Sequence, residues 1–408
     1  MSQPRIVYMV SRFPRTSETF IVRELNALAQ RGEFEVELRS LFRSPDTTVH
    51  EIAEKWAERV GRPNTAAVLN GLVWALRTRP YAVASAAAAV IAEHVHSPRI
   101  LARALMTFAL ACAHAKELQT GGGRTHVHAH YATYPALAAW ICHRLIGTGY
   151  SFTVHAHDLY VDRSMLHRKI ADARFVITIS EFNRVLLEEL NDHGTPIEVI
   201  HCGIDMARYV YRPREIPGEG PVRALCVASL QEYKGHRFLL QALAAGGTNV
   251  GRIRLDLIGE GPLGDELRQT ASCLGIADRV RFLGARDETC VLRALSEADL
   301  FVLPSVVARN GQMEGLPVAL VESLACGLPT VSTAISGIPE IVIDGVTGYL
   351  TPPGDVSSLN KALNEVIADG AAAAERASTG RRLVEREFVL DDNVRALARI
   401  LKVHLPAV

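Results

Sequence analysis

Residues 310–322 read Asn310-Gly311-Gln312-Met313-Glu314-Gly315-Leu316-Pro317-Val318-Ala319-Leu320-Val321-Glu322, a loop turning into a helix. Pro317 suits the first helical position, where its missing N–H has no partner to lose and its φ is already helical. Leu316, Leu320, Val321 and Leu324 recur at helical spacing as a core face, and Gly327 followed by Pro329 ends the helix. Glu314 then stands just before the helix start, with Glu322 roughly 7 Å further along the axis. Two carboxylates thus flank a helix N-terminus whose free N–H groups and positive dipole end favour an anion. Carboxylates accept hydrogen bonds from vicinal hydroxyls, so the stretch suits a phosphate between two sets of sugar hydroxyls, as in a nucleotide sugar. An isolated pair of glutamates at this spacing more often lies on a solvated face. Its surroundings give it weight.

Upstream, strand and helix alternate. Arg223 to Leu230 reads as a strand, Gln231-Glu232-Tyr233-Lys234-Gly235 as a loop, and 236–245 as a helix. Leu255-Asp256-Leu257-Ile258, Val280-Arg281-Phe282-Leu283 and Leu300-Phe301-Val302-Leu303 are further strands, with a helix over 264–274. Val331-Ser332 and Gly348-Tyr349-Leu350 close the sheet, and the tail from Ala372 is helical.

The first half has the same rhythm with one interruption. Ile6-Val7-Tyr8-Met9-Val10 is an apolar run of the kind buried in a parallel sheet. Ser17 is a good N-cap for a helix with Ile21, Leu25, Leu28 and Ala29 on its apolar face. Phe34 to Leu38 is the next strand. Residues 43–120 read as a helical insertion in which Leu69, Leu72, Val73 and Leu76 form a stripe beside Trp74, Arg77 and Arg79. That combination suits a membrane surface, but the preferred reading packs the stripe on the domain.

His126, His128 and His130 share one face of a strand, because side chains alternate. Three ligands on one strand sit awkwardly around a single ion, so satisfied histidines at a site edge are preferred to a zinc centre. Tyr150 to Val154 is a strand ending in His155-Ala156-His157-Asp158, and titratable residues at a strand's carboxyl end are functional candidates.

The bounds are consistent with this. The 408 residues suffice for two or three domains, and 48% hydrophobic with 22% charged residues is ordinary for globular α/β protein. A net charge of zero gives no bulk electrostatic case for nucleic acid. The seven cysteines form no C-x-x-C pair and suggest reduced thiols. Met1-Ser2-Gln3-Pro4 runs straight into a strand, so no secretory signal and a cytoplasmic location are expected. Two Rossmann-like domains facing across a cleft is the economical α/β architecture. The boundaries read as 1–207, a linker at 208–220, a second domain at 221–385 and a C-terminal helix at 386–408 returning to the first.

With the linker, Lys234-Gly235, the Glu314/Glu322 pair and Gly337-Ile338-Pro339-Glu340 in that order, the chain resembles the GT-B glycosyltransferases of family 4, the group 1 type. Glu314 to Val318, Ala325 to Pro329, Gly345 to Leu350 and Pro353-Gly354-Asp355 all read as family pattern. Ser11-Arg12-Phe13-Pro14 with Ser17-Glu18-Thr19-Phe20-Ile21 resembles the exopolysaccharide branch, colanic-acid types included. The resemblance implies retaining, metal-independent hexosyl transfer from a nucleotide-diphosphate sugar to a glycan or lipid-linked acceptor. It requires no cofactor. Glu314 would contact the donor sugar, Glu322 the ribose and Lys234 the diphosphate. Gly315, Leu316, Pro317 and Val318 would wrap sugar and phosphate, and Phe282 to Arg286 would form the wall for the base. His155 would lie near the reacting carbon, with Arg12, Ser17, Glu18, His157 and Asp158 toward the acceptor. No Asp-x-Asp metal anchor occurs in the chain. Two departures stand out: Ser229 replaces an arginine on the diphosphate, for which Arg12, Arg15 or Arg286 would have to compensate, and Cys202 replaces the usual Asn before Gly203.

Three rivals remain on the sequence alone. Gly259-Glu260-Gly261-Pro262-Leu263-Gly264 follows a strand and spells the dinucleotide-binding pattern, yet no ribose-binding acid ends the next strand. A sugar-nucleotide epimerase and a non-catalytic nucleotide-sugar-binding protein would use the same fold.

Overall fold

The computed structural model describes residues 3–15, 18–46, 51–120 and 125–405. The chain divides into two compact units, Met1–Ile200 with Asp391–Val408, and His201–Leu390. Among the described residues twelve strands form two six-stranded sheets, parallel throughout.

In the first unit β1 (Arg5–Phe13), β2 (Glu35–Arg43), β3 (Thr125–His130), β4 (Gly149–Val154), β5 (Phe175–Thr178) and β6 (Ile197–Val199) lie in the order β2-β1-β3-β4-β5-β6. Ile6 to Val10 are all buried, as expected for a strand covered on both faces. The strand runs past Val10 to Phe13 because Arg12 and Phe13 stay in register with Phe42 and Arg43 of β2. A helix, Thr19–Gln30, follows and buries Ile21, Val22, Leu25 and Leu28. Its cap position is Glu18, which makes no capping hydrogen bond, and Ser17 lies outside the described residues.

The insertion consists of helices Glu51–Ala57, Thr65–Thr78, Pro80–His94 and Pro98–Thr120. The expected packing face is corrected here. Leu69, Val73 and Leu76 are 60%, 46% and 57% exposed, whereas Gly71 and Ala75 are the buried positions. The reason is close approach of two helices: a Cβ on Gly71 would lie 2.5 Å from the backbone of Ala113. Small residues let the helices meet; Leu72 and Trp74 pack partly buried against the core, and Leu69, Val73 and Leu76 are left on the outer side. No helix among the described residues is long and apolar enough to cross a membrane.

In the second unit β7 (Val222–Val227), β8 (Ile253–Ile258), β9 (Val280–Gly284), β10 (Leu300–Leu303), β11 (Thr330–Thr333) and β12 (Tyr349–Thr351) lie in the order β12-β11-β10-β7-β8-β9. The tail holds helices Val356–Ala368, Gly370–Glu387 and Leu390–His404. The first of these, which apolar periodicity alone did not reveal, is capped by Asp355 accepting from the Ser358 N–H at 3.0 Å. The last belongs, from Asp391, to the first unit, where the His404 ring packs 5.0 Å from Phe175 and Lys402 pairs with Glu33.

Candidate functional site

The second sheet reverses direction between β7 and β10, since the chain runs from β7 outward to β9 and then returns to β7's other side. Open parallel sheets bind ligands at the carboxyl edge of such a switch point. The loop after β7 carries Lys234, and the loop after β10 carries Glu314. The two side chains form an ion pair across that switch point. Both are largely withdrawn from solvent, with side-chain exposures of 14% and 9%. Burial acts to lower the Lys234 pKa, but the adjoining Glu314 carboxylate outweighs it and holds the value above its ordinary one. The ammonium is therefore charged and within reach of a carboxylate.

Helix Val318–Ala325 starts one residue later than the sequence suggests. Pro317 is the cap residue with extended ψ of 114°, so it precedes the first helical turn. It provides no side-chain cap, and the first turn contains no acid. The leading N–H groups of a helix have no intrahelical partner, so this end remains suited to an anion. Leu316, Leu320, Val321 and Leu324 are buried as expected, anchoring the helix beneath its free end. The preceding loop is pinned from β11's side: the Gly315 carbonyl accepts from the Ser336 hydroxyl at 3.0 Å and from the Gly337 N–H at 3.2 Å. The Gly337-Ile338-Pro339-Glu340 motif thus acts by fixing Glu314's loop.

Glu322 sits inside the helix and accepts from the buried Tyr209 hydroxyl at 2.6 Å. Ser229 is half-buried in the loop leading to Lys234, and Arg286 is exposed beyond the end of β9. Arg15 of the first unit is engaged by Asp46 at 2.9 Å, and Arg12 is exposed. The glycine-rich segment after β8 has a packing explanation. A Cβ on Gly259 would lie 1.9 Å from the Ala228 carbonyl, and one on Gly261 would lie 2.5 Å from that of Leu230. These glycines let two loops of the unit touch, which accounts for the pattern without a dinucleotide.

In the first unit the reversal falls between β1 and β3, and the histidines gather there. His126 and His128 both reach Ser151 on β4 at 2.8 Å, and His128 also meets Thr153 at 3.1 Å. His130 contacts two groups: Nε2 lies 3.2 Å from Glu24 and Nδ1 lies 3.3 Å from His155 Nε2. Glu24 also accepts from the Tyr8 hydroxyl at 2.8 Å. Donor atoms of Glu24, His128 and His130 lie within 4.8 Å of one another, and each takes part in this hydrogen-bond network. Burial pushes His126 and His155 down to about 3. Burial would raise Glu24, but the His130 imidazole beside it holds the carboxyl down at about 2. Glu18 is pushed up to about 7, chiefly by burial.

Asp158 is buried, not open to a ligand. Its carboxylate accepts from the N–H groups of Ala132, His155 and Ala156 at 2.7 to 3.1 Å, so it holds the loop carrying His155. His157 opens the short helix His157–Tyr160 that follows and is exposed. Sequence reading missed Glu24, His130's bridging position, Tyr209 and Ser336, because each acquires its partner only through the fold.

The chain matches the family described as glycosyl transferases group 1 over residues 210–383. It is 33% identical over 235 residues to the amylovoran biosynthesis glycosyltransferase AmsK of Erwinia amylovora, covering 58% of each chain. It is 30% identical over 267 residues to the GDP-mannose-dependent alpha-(1-6)-phosphatidylinositol monomannoside mannosyltransferase of Mycobacterium tuberculosis, covering 61% of this chain and 68% of that one. The chain spans just over half the length of the first curated relatives it matches, from 53% to 58%. In structure it superposes on the Anabaena HepE protein in complex with UDP with a TM-score of 0.71 at 19% identity, covering 98% and 100% of the two chains.

Proposed function

Because this chain belongs to the glycosyl transferases group 1 family and has its two-domain α/β GT-B fold, we propose that it transfers a hexose from a nucleoside-diphosphate sugar to a glycan or lipid-linked acceptor in surface-glycan biosynthesis. The observation that carries the reading is the Lys234–Glu314 pair beside an uncapped helix N-terminus at the switch point of the second unit. The exopolysaccharide assignment follows the name of AmsK.

The demanding step breaks the bond between the anomeric carbon and the diphosphate oxygen. Negative charge grows on the leaving oxygens and positive charge on the sugar ring. Lys234 and the backbone N–H groups of Leu316 and Val318 stabilise the leaving group with fixed donors already in place before reaction. These groups neutralise charge without a divalent ion. The acceptor hydroxyl attacks from the leaving-group side, forming the new carbon–oxygen bond and passing its proton to a phosphate oxygen, which retains configuration. Glu314 orients sugar hydroxyls, Glu322 takes the ribose, and His155 donates to a hydroxyl of the reacting sugar. The exposed Leu69, Val73 and Leu76 stripe flanked by Arg77 and Arg79 supports peripheral contact with a membrane surface as part of this proposal.

Incubating the protein with UDP- and GDP-hexoses, with and without a glycan acceptor and with a chelator, tests the reading. Acceptor-dependent nucleotide release that survives chelation is expected. Conversion of donor without acceptor would indicate an epimerase, binding without turnover a sensor, and loss on chelation a metal-dependent reaction.

A further inference from the structure

Tyr131, just past the end of β3, has a backbone that its side chain does not favour. Its φ is 77°, in the left-handed region where a bulky residue is strained and stays only if its surroundings over-determine it. Four successive main-chain groups do so. The Tyr131 N–H donates to the Thr153 carbonyl at 3.0 Å, and the Tyr131 carbonyl accepts from the Ala136 N–H at 3.3 Å. The next two groups go to side chains: the Ala132 N–H donates to Asp158 at 2.7 Å, and the Ala132 carbonyl accepts from Lys169 Nζ. Each contact runs one way only, because amide and amine N–H donate while carbonyls and carboxylates accept.

Lys169 lies on helix Leu166–Asp172 and is 2% exposed. Its own carbonyl accepts from the Tyr150 hydroxyl of β4 at 2.6 Å, which fixes the stem from which the side chain reaches. Burial pushes its pKa down to about 8, with the Asp162 and Asp158 carboxylates acting the other way. Burying an amine to serve one carbonyl costs stability, so the position of that carbonyl is what the arrangement secures. Beyond it stands His155. Its N–H donates to the same Asp158 at 3.1 Å, and its carbonyl accepts from the Asn183 amide at 2.8 Å. With the backbone held, its ring is set by the rings against it, Tyr131 and Phe20, whose centroids are 4.6 and 5.0 Å away.

We infer that Lys169 is a positioning residue for transfer: gripping the Ala132 carbonyl while Asp158 grips the Ala132 N–H, it holds Tyr131 in the left-handed region and so keeps the Tyr131 ring on His155. This rests on the reading of His155 as a sugar contact. It gives the buried lysine a part in the reaction although it touches neither substrate.

The test uses full-length protein carrying labelled tyrosine and histidine in a deuterated background, which reports the contact as cross-relaxation between the Tyr131 and His155 rings. The signals are identified by their loss in Tyr131→Phe and His155→Gln. The wild type is expected to show the contact and Lys169→Met to lose it. Transfer by Lys169→Met should fall about tenfold in kcat with the donor KM within about twofold, since the residues assigned to diphosphate and ribose belong to the second unit. A folded Lys169→Met that keeps the ring contact overturns the inference, whether or not its kcat falls. A lost contact with undiminished transfer supports the clamp and instead overturns the sugar-contact reading of His155. If Lys169→Met does not fold, Lys169→Met combined with Asp158→Asn, which leaves neither buried charge alone, is measured against the same outcomes.

Discussion

Lys234 donates to Glu314 across the switch point of the second sheet, joining residues 80 apart in sequence. The pair stores both halves of the proposed chemistry in one contact: a cation for the diphosphate and an acceptor for sugar hydroxyls. In the proposed complex the ammonium exchanges a carboxylate for the anionic diphosphate, and the carboxylate exchanges an ammonium for neutral hydroxyl donors.

Glu314→Gln keeps the shape of the side chain and removes its charge. Transfer is expected to fall at least tenfold, with donor affinity weakened less than turnover. Glu314→Ala should additionally lower stability by about 3 kcal/mol, since it leaves a buried ammonium without its partner. Steady-state kinetics beside thermal melts separate the two effects. Unchanged turnover in Glu314→Gln would remove this carboxylate from the mechanism.

Lys234→Ala should cost about 10²–10³ in kcat, the scale of one fixed donor to a developing negative charge. Adding metal ions should restore nothing. A variant whose lost activity returned with magnesium would show that the ammonium's place can be taken by an ion.

Ser229→Arg supplies the charge that the family resemblance leads one to expect. Ser229 is half-buried on the loop that ends at Lys234, so the longer side chain has solvent to extend into. The donor KM should fall several-fold, and nucleoside diphosphate should inhibit more strongly. No change in either would mean that Lys234 and the helix end already neutralise the diphosphate.

The residues singled out in the two units differ in how visible they are beforehand. Glu314 to Glu322 is legible because loop, helix start and both acids lie on one continuous stretch whose helical period is plain. Pro317 is ambiguous in sequence because its fixed φ fits the cap, which it occupies, as well as the first turn. Glu24 and His130 are separated by 106 residues, and no local pattern joins a helix glutamate to a strand histidine. The three strand histidines were visible as a cluster, but their partners Ser151, Thr153 and Glu24 come from pairing and packing.

Acid should weaken the first unit by a route that follows from those burials. His114, His126 and His155 are each pushed down to about 3, mainly by burial, whereas in the unfolded chain they take up protons near 6.5. Between those values the unfolded state holds more protons, so stability falls as pH is lowered, by up to about 1.4 kcal/mol per pH unit for each histidine. Glu24, held down at about 2, contributes stability present above the ordinary glutamate range and lost as pH falls toward 2. Calorimetry at pH 7.5, 6.5 and 5.5 should show little change over the first step and a marked drop over the second. His128 is held down by burial as well, so His114→Leu should flatten that second step by about a quarter, and an unaltered slope would mean that His114 takes up its proton in the folded state too.

The face by which helix Thr65–Thr78 packs separates two readings of one stripe. Hydrophobicity marks Leu69, Leu72, Val73 and Leu76 as the inner side, yet Gly71 and Ala75 are the fully buried positions, Leu72 is partly buried and the other three are exposed. Gly71→Val should destabilise by about 1–3 kcal/mol through overpacking against Ala113. Changing Leu69, Val73 and Leu76 together to serine should alter stability by no more than about 0.5 kcal/mol per site, as exposed positions do. That same triple variant, with Arg77 and Arg79 intact, should float less with anionic phosphatidylglycerol vesicles than the wild type while retaining transfer to a soluble acceptor. If it instead unfolds at markedly lower temperature, the stripe is a packed face, and the membrane role assigned to it fails with it.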